Sequence, residues 1–139
     1  MPPNVIVDTG PIVALFDADE AHHSWVVSRL EELEPPLLTC EAVLTEASYL
    51  IARAGASPSV VVDLVTRGML AVMSAFEGEA EAISRLLRRY ANVPMSLADA
   101  CLVRIAERTA NATVLTLESD FRIYRQKGRR LIPLLIPDG

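Results

Sequence analysis

The hydrophobic pattern changes period several times along the 139 residues, and each change marks an element. Residues 4–7, Asn-Val-Ile-Val, form a short β-rich run that stops at Asp8 and meets Thr9-Gly10-Pro11, which is turn chemistry. A helix is predicted from Ile12 to about Asp17. Over residues 19–34, Trp25, Val26, Leu30 and Leu33 share one helical face until Pro35-Pro36 ends it. Residues 36–39, Pro-Leu-Leu-Thr, give a second short strand.

Residues 40–55 read as a helix that stops at Gly55. Residues 57–68 are rich in valine, yet Ser57 as N-cap, Pro58 at the first helical position and Gly68 at the end favour a helix. Residues 69–75 predict a third strand. Residues 77–93 run from acidic to basic, an order that suits a helix dipole. Residues 96–110 form the next helix, residues 112–117 a fourth strand, and residues 130–135 a short fifth.

Strands alternating with helices predict one α/β domain over residues 1–139. Its architecture is a three-layer α/β/α sandwich with a mostly parallel central sheet of four to five strands. In such folds ligands gather beyond the carboxyl ends of the strands. Asp8 ends strand one and Glu118-Ser119-Asp120 follows strand four, so these acids belong on one rim of the sheet.

Composition narrows the functional classes. No apolar stretch reaches the roughly 18 residues of a membrane span, and no Lys or Arg precedes the first apolar run as in a signal peptide. The expectation is a cytoplasmic protein without membrane association. Cys40 and Cys101 lack a CxxC spacing and read as small buried hydrophobes. The net charge of −5 conceals a polarity: residues 1–84 hold 3 Lys+Arg against 13 Asp+Glu, whereas residues 85–139 hold 10 against 5. The basic second half, Arg122, Arg125, Lys127, Arg129 and Arg130 among it, suits contacts to a phosphate backbone.

Carboxylates stand where packing alone would not ask for them. Asp8 ends a buried strand; Glu46 lies inside the apolar helix run Ala42–Ala52; Asp99 lies in Ser-Leu-Ala-Asp-Ala-Cys-Leu; Glu118 and Asp120 follow Thr-Val-Leu-Thr-Leu. Each has a local alternative: Asp8 can accept from its own turn, Asp99 can close a capping box with Ser96, and Asp120 can cap a helix. Together they suggest a shared pocket. Like charges at close range repel and raise one another's pKa unless a cation offsets them. Oxygen ligands without His or Cys suit Mg²⁺ or Mn²⁺ rather than zinc. Such an ion serves phosphodiester cleavage, and the substrate would be an anionic polymer.

Four stretches carry a resemblance: Val-Ile-Val-Asp-Thr-Gly-Pro-Ile-Val-Ala-Leu, Leu-Thr-Glu-Ala-Ser-Tyr-Leu-Ile, Ser-Leu-Ala-Asp-Ala-Cys-Leu-Val-Arg-Ile-Ala and Thr-Leu-Glu-Ser-Asp-Phe. In order and spacing the chain resembles the PIN-domain ribonucleases, and more narrowly the VapC-type toxins of toxin–antitoxin pairs. The resemblance implies metal-dependent cleavage of RNA, a homodimer, and inhibition by a small antitoxin protein. It places the family's acids on Asp8, Glu46, Asp99 and, fourth, on Asp120 ahead of Glu118, because the family commonly reads T-x-D-x-D-F and Glu118 replaces the first of that pair. These acids would hold one or two Mg²⁺ or Mn²⁺ ions, with Glu46 binding metal or taking a proton from the attacking water. Thr9, Ser96 and Thr116 match the family's hydroxyl positions, which hydrogen-bond the acids or a coordinated water.

Dehalogenase-type phosphatases carry a second Asp two residues after the first, where this chain has Gly10, and receiver domains need an early acidic pair and a late strand-end Lys. The alternative that remains is a non-catalytic PIN-like module that binds RNA or a partner. Glu118 is the departure that keeps it open.

Overall fold

A computed structural model describes residues 4–138. Five strands, β1 (Asn4–Val7), β2 (Leu37–Thr39), β3 (Leu70–Val72), β4 (Ala112–Leu115) and β7 (Leu134–Leu135), form one sheet in the order β3-β2-β1-β4-β7. Every pairing in it is parallel, with Val7 opposite Leu115 and Ile6 opposite Leu38. The helices are α1 (Thr9–Leu15), α2 (His23–Glu32), α3 (Glu41–Arg53), α4 (Ser59–Thr66), α5 (Ala80–Arg89) and α6 (Leu97–Arg108). The α/β class and the parallel sheet are those expected from the sequence.

Topology decides where a site can form. The connections β1 to β2 and β2 to β3 step outward in one direction, whereas β3 to β4 returns across the sheet. The right-handed crossover rule therefore assigns α1–α4 and α5–α6 to opposite faces. The direction reverses between β1 and β4, which opens a crevice at their carboxyl ends. α3 touches both α1 and α6 and so borders that crevice.

Burial follows the pattern of a covered parallel sheet. Val5, Ile6 and Val7 are all buried, as are Val114 and Leu115. In α6 the buried positions run almost continuously from Ala98 to Ala106, because this helix packs on β1, β4, α3 and α5. Cys40 and Cys101 are buried free thiols, in line with their reading as small apolar side chains.

Three local expectations are corrected. The first helix starts at Thr9 rather than Ile12, because Asp8 is its N-cap and Pro11 fits the first turn. Helix α4 starts at Ser59, one residue later than expected, with Pro58 rather than Ser57 as its N-cap; Ser57 Oγ accepts the Ser59 N–H at 3.2 Å. Residues 130–135 are not one strand. Arg130–Leu131 (β6) pairs antiparallel with Arg125–Gln126 (β5) in a separate hairpin, and only Leu134–Leu135 joins the main sheet. Pro133 lacks an N–H and separates the two pairings.

Candidate active site

Asp8 sits where β1 becomes α1. Its backbone is extended, its N–H donates to Leu115 O at 3.0 Å, and its carboxylate faces the crevice beside β4. Both oxygens are held: Oδ1 accepts the Thr9 N–H at 2.7 Å, and Oδ2 accepts the Thr116 hydroxyl at 2.7 Å. Thr116 in turn accepts the Glu118 N–H at 2.9 Å. One threonine thus ties the end of β1 to the chain leaving β4.

Asp99 occupies the third position of α6. The capping box foreseen for Ser96 is present: Ser96 Oγ accepts the Asp99 N–H at 3.0 Å, and the Ser96 N–H reaches Asp99 Oδ2 at 3.4 Å. Capping is only part of its role. Asp99 is buried, and the Tyr124 hydroxyl donates to the same Oδ2 at 2.8 Å. Tyr124 went unnoticed in the sequence, where nothing distinguishes it from a core aromatic.

Carboxylate oxygens of Asp8, Asp99 and Glu118 lie within 4.8 Å of one another. Glu46 and Asp120 stand outside this group. Glu46 lies on the outer side of α3 and lines the groove with Asp8, Thr9, Gly10, Glu20 and Glu118. Asp120 lies beside Glu118 in the short 3₁₀ turn Ser119–Arg122. Gly10 keeps the groove narrow on one side, since a Cβ there would meet Leu117 at 3.3 Å.

The electrostatics record the crowding. Burial pushes the Asp8 carboxyl up to about 6 against the pull of its two hydrogen bonds, with Asp99 and Glu46 adding to the rise. Burial, then the charges of Asp99 and Asp8, push Glu118 up to about 8. Glu46 is also raised, by desolvation and by Asp99. Burial, then the hydrogen bond and charge of Asp99, raise the Tyr124 phenol above its ordinary value.

The donor set fits a hard divalent cation. Oxygens around an octahedral Mg²⁺ are separated by about 3 Å when adjacent and about 4 Å when opposite, so the three carboxylates need only small adjustments. Thr9 Oγ1 is buried on the same groove wall without a hydrogen-bond partner among the described residues. Such a group is accounted for by a ligand or ordered water at the site.

A parallel sheet whose switch point gathers strand-end carboxylates defines the class to which this protein belongs. The PIN domain family matches residues 5–127, and the chain is a member of that family. Among its relatives, Ribonuclease VapC26 of Mycobacterium tuberculosis is 29% identical over 116 residues, which is 82% of this chain and 86% of that protein. The crystal structure of Mycobacterium tuberculosis VapC20, described as a sarcin-ricin loop cleaving toxin, shares the fold. Its TM-score is 0.73 at 18% identity, over 80% of this chain and 87% of that one.

Proposed function

We propose that this PIN domain is a metal-dependent endoribonuclease that serves as the toxin of a toxin–antitoxin pair. The observation that carries the proposal is the group Asp8, Asp99 and Glu118, three carboxylates within 4.8 Å at the crevice where α/β folds bind ligands. The 29% identity with a ribonuclease across most of both chains supports it. A binding-only module was kept open by Glu118; that this residue reaches the group favours the nuclease.

Asp8, Asp99 and Glu118 would hold the ion, with Asp120 beside Glu118 and Glu46 lining the same groove. Bound Mg²⁺ or Mn²⁺ lowers the pKa of water and offsets charge on the phosphoryl oxygens. Thr9 N–H and Thr116 hydroxyl fix Asp8, so its carboxylate need not reorganise during the reaction. Glu46, at the rim with its pKa raised, would take the proton of the water that adds to phosphorus, while the ribose oxygen whose bond to phosphorus breaks takes a proton from solvent. Purified protein should cleave single-stranded RNA with Mn²⁺ and stop in EDTA. Equal cleavage in both would reject a metal mechanism, and none in either would reject the nuclease.

The basic second half supplies a track for the substrate backbone. Arg104 and Arg108 are engaged by Glu79 and Glu107 at 2.8–3.2 Å and are withdrawn from that role. The β5–β6 hairpin is different. Arg122, Lys127, Arg129 and Arg130 are exposed, and no acidic residue occurs from 121 to 137. The hairpin is anchored, since Arg89 donates to Gly128 O at 2.9 Å and the Lys127 N–H donates to Glu107. Replacing Lys127, Arg129 and Arg130 with Ala should flatten the slope of log affinity for single-stranded RNA against log salt by about 2. Filter binding across a salt series measures it, and an unchanged slope would remove the hairpin from the substrate path.

The toxin reading also brings partners. A small antitoxin and a homodimer both need apolar surface, and Tyr49, Leu50 and Val62 on α3 and α4 are exposed. No helix among the described residues is long and apolar enough to cross a membrane. A nuclease of cellular RNA would act in the cytoplasm.

A further inference from the structure

We propose that Tyr124 is a positioning residue for Asp99, holding its carboxylate so that Oδ1 faces the position shared with Asp8 and Glu118. The inference rests on reading that acidic group as a cation site. Asp99 alone is poorly fixed for such a task. Its side chain is tethered by the capping box only through the 3.4 Å contact from the Ser96 N–H, long for a hydrogen bond. The short contact is the Tyr124 hydroxyl at 2.8 Å, and it falls on the same oxygen, Oδ2. Both donors therefore converge on one oxygen and leave Oδ1 without a protein donor among the described residues.

Tyr124 is itself immobilised. It is fully buried, and its ring lies edge-on to Tyr90 and to Phe121, each with centroids 5.1 Å away. Its N–H donates to Asp120 O at 3.2 Å, closing the turn that begins just after Glu118. A single stretch, residues 118–124, thus delivers one acid to the group directly and orients a second through a hydroxyl. A hydrogen-bonded carboxylate of fixed orientation holds a cation more tightly than a free one.

Tyr90 provides the control. Its hydroxyl accepts the Arg125 N–H at 2.9 Å in the same aromatic cluster and is hydrogen-bonded to no acid among the described residues. Tyr124→Phe and Tyr90→Phe each remove one buried oxygen. Mn²⁺ titration of the full chain by calorimetry, well below each variant's unfolding midpoint, should show affinity about tenfold weaker for Tyr124→Phe and within twofold of wild type for Tyr90→Phe. RNA cleavage by Tyr124→Phe should recover towards the wild-type rate as Mn²⁺ is raised. Wild-type affinity in Tyr124→Phe, or an equal loss in Tyr90→Phe, overturns the proposal. A wild-type chain that binds no Mn²⁺ overturns the cation site itself. In wild type, Mg²⁺ should shift the Tyr124 hydroxyl proton resonance and leave that of Tyr90 in place; an unmoved Tyr124 resonance counts against the proposal even if the variant does not fold.

Discussion

Asp8→Asn is expected to abolish RNA cleavage while making the metal-free protein more stable. The first effect follows from position. Asp8 is the acid that both anchors the group and is fixed by two short hydrogen bonds, and a displaced ion forfeits several kcal/mol of transition-state stabilisation. That corresponds to a loss of about 10³-fold or more in rate. The second effect follows from burial. The folded state raises the Asp8 carboxyl from 3.8 to about 6, so between these values the folded chain binds a proton that the unfolded chain has released. Stability falls with rising pH wherever the folded state holds more protons. The ionised Asp8 therefore costs stability above pH 6, and the cost vanishes below its unfolded value. A shift of about 2 units is worth about 3 kcal/mol, which bounds the gain for Asn from above. Urea unfolding in EDTA should find Asp8→Asn more stable than wild type at pH 7.5 and equal to it near pH 3.5. A variant less stable at both would mean that the two hydrogen bonds outweigh the buried charge.

Glu118→Gln is expected to cost far more than Asp120→Asn. Only Glu118 lends an oxygen to the group around Asp8 and Asp99, so its loss should weaken Mn²⁺ binding by at least about tenfold, the scale of a lost supporting interaction. Asp120→Asn should change affinity less, because it acts as a neighbouring charge in the 3₁₀ turn. Calorimetric Mn²⁺ titration of the two variants side by side decides the matter. A larger loss at Asp120 would show that the turn rearranges when the ion binds.

The difference between these two acids marks the limit of what the chain discloses before folding. Asp8 was legible because a carboxylate ending a strand of Val-Ile-Val violates the burial pattern, and Asp99 because it interrupts an apolar helix, although Ser96 beside it also offers a capping box, which the structure contains. The parallel sheet was legible too, since strands alternate with helices along the chain. Glu118 and Asp120 are two residues apart in a short turn, and which of them faces the crevice depends on how the chain leaves β4, through the Glu118 N–H to Thr116 bond. No periodicity encodes that. Tyr124 meets Asp99 across 25 residues of sequence, and its hydroxyl is invisible to any pattern that ranks aromatics as core. The first helix began earlier than expected for a related reason: Asp8 was read as a site residue or a turn acceptor, and it is also the cap that starts α1.

A dual role of this kind has an energetic consequence. Asp8 and Asp99 sit at helix starts, where unpaired N–H groups favour negative charge. The Thr9 N–H on Asp8, and the Ser96 N–H with the Tyr124 hydroxyl on Asp99, make the cluster tolerable before any cation arrives. Burial first, and the neighbouring charges after it, raise Asp8 and Glu118, and a divalent ion bound there would offset both costs. Ion binding and folding stability should therefore rise together.

Anomalous diffraction from crystals grown with Mn²⁺ tests the cation site most directly. The geometry requires one peak in contact with carboxylate oxygens of Asp8, Asp99 and Glu118, at about 2.2 Å from each. Anomalous density absent from that point while Mn²⁺ is present in excess, or lying elsewhere on the molecule, would contradict the account.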